Sequence, residues 1–133
     1  MIELSVYSVL YSLLSRHRVV LLKENEGERF LPIWVGMFES EAIAMRLQGA
    51  AVPRPLTHDL LANMVTELGG TLQYIVVNDL SESTFYARIA VERDGETQLV
   101  DSRPSDAIAL ALRAQIPIYA EDGVMEKAGI VSS

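Results

Sequence analysis

Nine residues at Ser40–Gln48, SEAIAMRLQ, return 65 positions later as SDAIALALR at Ser105–Arg113. The two phrases share Ser, Ala, Ile, Ala and the last Leu, and differ conservatively at Glu/Asp and Met/Leu. Both have the apolar spacing of a helix. A chain of 133 residues that repeats such a phrase either reuses a common amphipathic pattern or is built from two copies of one unit. The segments around the phrases bear on that choice.

In the first half Ile2, Leu4 and Val6 alternate with polar residues, as a strand requires. SRHR breaks the alternation, VVLLKE reads as a second strand, NEGE as a turn, and RFLPIWV as a third strand ending at Gly36. The period changes to helical from Glu39 to Gln48. Gly49 ends that helix, and AVPRP is a loop whose prolines forbid it. Thr57 is then the expected N-cap of a second helix, HDLLANMVTEL, which stops at Gly69-Gly70. The second half follows the same plan. TLQYIVVNDL and TFYARIAVE are strands, RDG is a hairpin signal, and TQLVD is a third strand. A helix follows from about Pro104 to Gln115, then the short PIYA and a last helical turn or two in DGVMEKAG. The expectation is therefore an α+β fold made of a duplicated β3α2 unit, with mixed or antiparallel sheets. The halves, about 1–69 and 70–133, share no linker beyond the two glycines and should fuse into one domain. The SDAIALALRA helix is apolar almost all round, so it should be covered on more than one face, by sheet and helix or by another subunit.

Composition excludes several chemistries. Without cysteine there are no disulfides, thiolate metal sites or cysteine nucleophiles. The chain has no GxGxxG, P-loop, GxSxG or HExxH motif. No apolar run approaches a membrane span, and the N-terminus lacks a basic region followed by an apolar one, so a cytoplasmic protein with no membrane partner is expected. The net charge of −7 is opposite to the basic surface that nucleic-acid binders usually present. Any such role needs a local arginine patch or a bound cation. An apolar share of 50% is high for a chain of this size and favours a homo-oligomer, a dimer first.

Two phrases gather arginine, hydroxyl, imidazole and carboxylate at helix starts: Arg54-Pro55-Leu56-Thr57-His58-Asp59 and Asp101-Ser102-Arg103-Pro104-Ser105-Asp106. Each has a structural account, because Thr57 and Ser105 or Ser102 suit N-caps and Asp59 and Asp106 suit the helix dipole. Each also has a functional one, because a helix N-terminus with arginine alongside can take a phosphate. If the phrases converge, carboxylates can hold Mg²⁺ or Mn²⁺ and His58 can move a proton. The basic turn around His17 reads as a solvated tip, and Trp34 in LPIWVG as a core residue.

LPIWVG, the following Glu39, RPLTHDLL, TFYARI, DSRPSDAIALALR and PIYAEDGVMEKAGI resemble, in order and over nearly the whole chain, the signature blocks of the bifunctional nuclease domain family. The segments SLLSRHR and GMFES depart from the pattern. The resemblance implies an α+β fold with a duplicated β3α2 motif, and an activity that degrades RNA, DNA or both. On the matching positions we expect Glu39, His58, Asp59 and Asp106 to be catalytic. Arg54, Thr57, Arg103 and Ser105 should bind phosphate, and Asp101 with Asp106 a divalent cation, Mg²⁺ or Mn²⁺, with no organic cofactor. The alternative from another class is a non-catalytic oligomeric module that holds a small anionic ligand or a protein partner.

Overall fold

The computed structural model describes residues 1–14, 16–49 and 53–131. Ser15, and Ala51 and Val52 of the expected AVPRP loop, lie outside the described residues. The chain runs β1 (Ile2–Tyr11), β2 (Arg18–Glu24), β3 (Arg29–Val35), α1 (Met37–Gln48), α2 (Thr57–Glu67), β4 (Thr71–Ser81), β5 (Thr84–Arg93), β6 (Glu96–Ser102), α3 (Pro104–Ala114), β7 (Ile118–Ala120), α4 (Asp122–Ala128) and β8 (Ile130–Val131). Its class is α+β. All eight strands join one mixed sheet in the order β6-β5-β4-β7-β1-β2-β3-β8. Two antiparallel meanders, β1–β3 and β4–β6, are joined by β7, which runs parallel to β4 and antiparallel to β1. PIYA is thus the short strand that welds the two halves together.

Three bulges shape the sheet. Tyr7 in β1, and Gln73 and Asn78 in β4, each stand as an extra residue opposite the partner strand. A bulge moves the alternation by one residue, so Leu4 and Val6 face the core before Tyr7 and Val9 does after it. In β4 the same shift keeps Leu72, Ile75 and Val77 on one face. Bulges also strengthen the twist, and α3 packs on β3 as well as on β4 and β5.

The core gathers on α3. Seven of its residues are buried, from Pro104 and Ser105 through Ala107, Ile108, Ala109, Leu110 and Ala111. It packs on strands, on α1 and on α2, which explains the apolar pattern found almost all round this helix. Alanine at three of these positions lets neighbouring backbones approach closely. The repeated phrase occupies α1 and α3, and its shared Ser and Ile are buried in both: Ser40 and Ile43, Ser105 and Ile108. The helices are otherwise unequal, because only those two residues of α1 are buried. The duplication therefore remains a proposal about ancestry.

Three local expectations are corrected. Leu56, not Thr57, takes the N-cap position of α2, because the Asp59 carboxylate at the third helical position accepts the Leu56 N–H at 2.9 Å. Arg103, not Ser105 or Ser102, caps α3, since Pro104 fixes the first helical residue and leaves Arg103 extended. Trp34 is 66% exposed. Alternation along β3 buries Leu31 and Ile33 and turns Pro32 and Trp34 to the other face. No helix among the described residues is long and apolar enough to cross a membrane.

The central position of α3 has a direct consequence. Leu110→Ala should lower unfolding stability by about 2–5 kcal/mol, read as a fall in the urea midpoint at unchanged slope. A loss under about 1 kcal/mol would mean that α3 is not the helix around which the core is built.

Candidate functional site

The first turns of α1, α2 and α3 each place a carboxylate at the third helical position: Glu39, Asp59 and Asp106. Acids are favoured there by the helix dipole, but their side chains go to different partners. Glu39 accepts from Arg103 Nη2 at 2.6 Å, although the two lie 64 positions apart. Asp106 accepts from Arg103 Nε on Oδ2 at 2.9 Å and pairs with His58 Nε2 through Oδ1 at 3.1 Å. The result is one chain of contacts, Glu39–Arg103–Asp106–His58, drawn from all three helices.

These groups line a cleft of about 810 Å³. Its polar side also holds Thr57, Asp101 and Glu41, and its apolar wall includes Phe38, Met45, Leu61 and Val100. The His58 side chain is only 12% exposed and Arg103 is 66% exposed. Hydrogen bonds that it donates to Asp106 and then to Glu39 push the Arg103 guanidinium above its ordinary range, so it stays charged. An ionised carboxylate only accepts hydrogen bonds, so in neutral His58 the Nε2 carries the proton shared with Asp106. Nδ1 is then the basic nitrogen.

Glu39 reaches Arg103 by folding back over Gly36. A Cβ on Gly36 would stand 2.5 Å from Glu39 Oε2, so glycine here keeps room for the carboxylate. The hydrogen bond from Arg103 is what orients Glu39 at the start of α1.

Asp59 goes elsewhere. It is buried and outside the cleft lining. Its Oδ1 meets Arg46 of α1 and Arg113 Nε of α3, the latter at 2.8 Å. Burial pushes its carboxyl up, but the Leu56 N–H and the two arginines outweigh burial and hold it below the usual carboxylate range. Asp59 thus ties α2 to both neighbouring helices, one residue from His58. Sequence reasoning passed over Arg46 and Arg113. Their signal was available: both are charged residues in the last turns of largely apolar helices.

Of the residues singled out in the sequence, Glu39, Thr57, His58, Asp101, Arg103 and Asp106 line the cleft together. Ser105 is buried in α3, and Arg54 is exposed outside the lining. A divalent cation fits poorly here. Asp106 has both oxygens engaged, Glu39 is bound to Arg103, and no group of three His, Asp or Glu side chains among the described residues could hold a metal. The guanidinium of Arg103 already pairs with both Glu39 and Asp106.

The model of the bifunctional nuclease domain matches residues 20–133. An uncharacterized protein of Mycobacterium tuberculosis is 46% identical over 113 residues, which are 85% of this chain and 67% of that protein. Bifunctional nuclease 1 of Oryza sativa is 29% identical over 105 residues, 77% of this chain but 32% of its own length. Bifunctional nuclease 1 of Arabidopsis thaliana is 28% identical over 106 residues, again 77% of this chain and 33% of its own. The chain thus spans about a third of each plant relative.

Asp59 yields a pH prediction. A carboxyl with a folded pKa below its unfolded one adds stability at pH above the ordinary value of about 3.9. That contribution is lost as pH falls through the folded pKa. Asp59→Asn should cost about 2–3 kcal/mol near neutral pH, and the gap from the parent protein should close below about pH 4. Urea titrations from neutral to acid pH test this; a gap that persists in acid would show that the Asp59 charge is not what joins the helices.

Proposed function

The chain belongs to the bifunctional nuclease domain family, and we propose on that premise that its cleft hydrolyses phosphodiester bonds of RNA, DNA or both. The observation that carries this reading is the contact chain Glu39–Arg103–Asp106–His58 in an open cleft. His58 Nδ1 takes the proton of the attacking oxygen, which is water for either polymer or the neighbouring 2′-hydroxyl for RNA. As that oxygen bonds to phosphorus, the bond to the leaving sugar oxygen breaks, and the leaving oxygen takes a proton from solvent water. Attack by water completes the hydrolysis, whereas attack by the 2′-hydroxyl gives a cyclic phosphate that water then opens. Asp106 steadies the imidazolium formed on the way. Arg103 turns from its carboxylates to the non-bridging oxygens, where charge develops. Its own exposure leaves the guanidinium open to a phosphate entering the cleft. Glu39 holds Arg103 in place before substrate arrives. Asp59 acts through its neighbour, as a positioning residue for His58. Thr57 is at hand in the cleft as a phosphate hydroxyl donor, whereas Arg54 would have to approach from its exposed loop.

Cleavage of labelled single-stranded RNA and DNA, with Mg²⁺, Mn²⁺ or EDTA, tests the assignment. His58→Ala should lower kcat by about a hundredfold to ten-thousandfold, with the fold verified by circular dichroism. Equal cleavage by parent and variant would place the activity outside this cleft. The EDTA arm decides separately whether a cation participates.

A second reading has one observation in its favour. Leu60 and Met64 on α2 and Leu68 at its C-cap recur at four-residue spacing and are all exposed. We read this stripe as the seam of a homodimer, compatible with either an enzyme or a non-catalytic binding module. Light scattering should then give a dimer for the parent protein and a monomer for Leu60→Glu/Met64→Lys. A monomeric parent would remove the seam.

A further inference from the structure

The proposed nuclease cleft is poorly charged for a polyanion. Its lining holds four carboxylates, Glu39, Glu41, Asp101 and Asp106, against Arg103 and His58. The whole chain carries −7. Phosphate neutralisation supplies most of the affinity for single strands, so a cleft of this sign cannot hold a strand by itself. The positive charge has to come from a surface beside it.

Such a surface lies at the end of β1–β3. A hollow of about 550 Å³ is lined by Tyr11, Arg16, His17, Arg18 and Trp34 among others, and no lining residue is a carboxylate. Two aromatic rings are open there, Tyr11 at 50% and Trp34 at 66% exposure. The His17 ring lies 5.9 Å from Trp34, and the Arg18 guanidinium lies 5.0 Å from the centre of the Tyr11 ring. Arg16 is exposed on the same loop. Exposed aromatics interleaved with basic groups are what base stacking and backbone tracking need.

The hollow adjoins the cleft. Gly36 and Met37 line the hollow, and Phe38 and Glu39 line the cleft, at successive positions of the chain. Arg18 donates to Ser40 Oγ at 3.2 Å, which ties the basic loop to the same turn of α1 that carries Glu39. Trp34 and Glu39 are five residues apart, at most about 18 Å.

Resting on the nuclease reading, we propose that Trp34 and Tyr11, with Arg16 and Arg18, form a stacking platform for single-stranded nucleic acid that feeds the cleft. A base of the strand stacks on the Trp34 indole, the arginines meet its phosphates, and the chain passes Phe38 into the cleft. Affinity is then built beside the reacting phosphate, while Glu39 and Asp106 in the cleft are left to hold Arg103 and His58.

Trp34 is the only tryptophan of the chain, so its fluorescence reports on the platform directly. His58→Ala, which keeps Trp34 and is expected not to cut, is titrated with a fluorescein-labelled oligothymidylate and oligouridylate at low salt. The expected result is saturable quenching of Trp34 that tracks the anisotropy of the label and weakens as salt rises. Trp34→Ala should raise Kd about fivefold or more, with Trp34→Phe recovering part of the loss. In the His58-intact background, Trp34→Ala should raise KM for oligonucleotides but leave hydrolysis of bis(p-nitrophenyl) phosphate unchanged. Anisotropy that saturates with unaltered Trp34 emission overturns the platform and leaves the nuclease reading standing. Quenching by oligonucleotide with no cleavage by the parent protein supports the platform and sinks the nuclease reading. Emission that shifts with protein concentration but not with oligonucleotide overturns the platform, and assigns the patch to a second copy of the chain.

Discussion

The burial of α3 is the constraint on which the rest of this molecule depends. A helix covered by the sheet and by two other helices can present few polar groups along its middle, and small side chains there decide how near its neighbours come. Ala107, Ala109 and Ala111 are all buried. The polar residues are pushed to its ends, Arg103 and Asp106 at the start and Arg113 in the last turn. Each end then forms an ionic cluster with α1 and α2. At one end a single carboxylate, Asp59, lies between Arg46 and Arg113. At the other a single guanidinium, Arg103, lies between Glu39 and Asp106.

The two clusters use similar groups and differ in exposure, which separates their roles. Asp59 is buried and joins two arginines that are each about a third exposed. Such a cluster fixes geometry. Arg103 is itself exposed, although Glu39 and Asp106, which it joins, are mostly covered. Such a cluster can act. His58 lies next to the fixed cluster in sequence and touches the exchangeable one in space. An imidazole meant to move a proton needs this arrangement, with its ring held firmly and one nitrogen assigned to a carboxylate.

The strands and helices were legible because their hydrophobic periods are clean. The all-round apolar character of SDAIALALRA correctly announced a doubly covered helix. The position of β7 between β4 and β1 was not legible, since three residues carry no pairing information. The capping residues were misread because serine and threonine are good caps in isolation. Here an acid at the third position of α2 and a proline at the first of α3 set the helix starts. In the cleft, the polar helix-entry phrases named most of the lining residues. What they could not reveal was direction. Asp59 and Asp106 occupy equivalent positions in their helices, yet one faces Arg46 and Arg113 and the other the cleft. That divergence is set by helix rotation in the packed core and leaves no mark in local spacing. Trp34 was misjudged through its residue type, although the alternation of β3 put it on the outer face.

The recurrence of SEAIAMRLQ as SDAIALALR has a physical reason whatever its ancestry. The shared serine and isoleucine are the buried positions of α1 and are buried again in α3. Ser40 also closes a local bond, donating from Oγ to the Met37 carbonyl at 2.8 Å. A small polar residue suits a buried first turn, because it meets its hydrogen-bonding needs within its own helix. Each helix also has an arginine in its last turn, though at different places in the phrase, Arg46 seventh in one and Arg113 ninth in the other, and both arginines reach Asp59. The phrase therefore specifies the buried serine and isoleucine, and each helix separately returns a cation to α2 from its last turn. The Asp59 carboxylate of α2 thus receives one arginine from α1 and one from α3, and the residue beside it in the chain is His58.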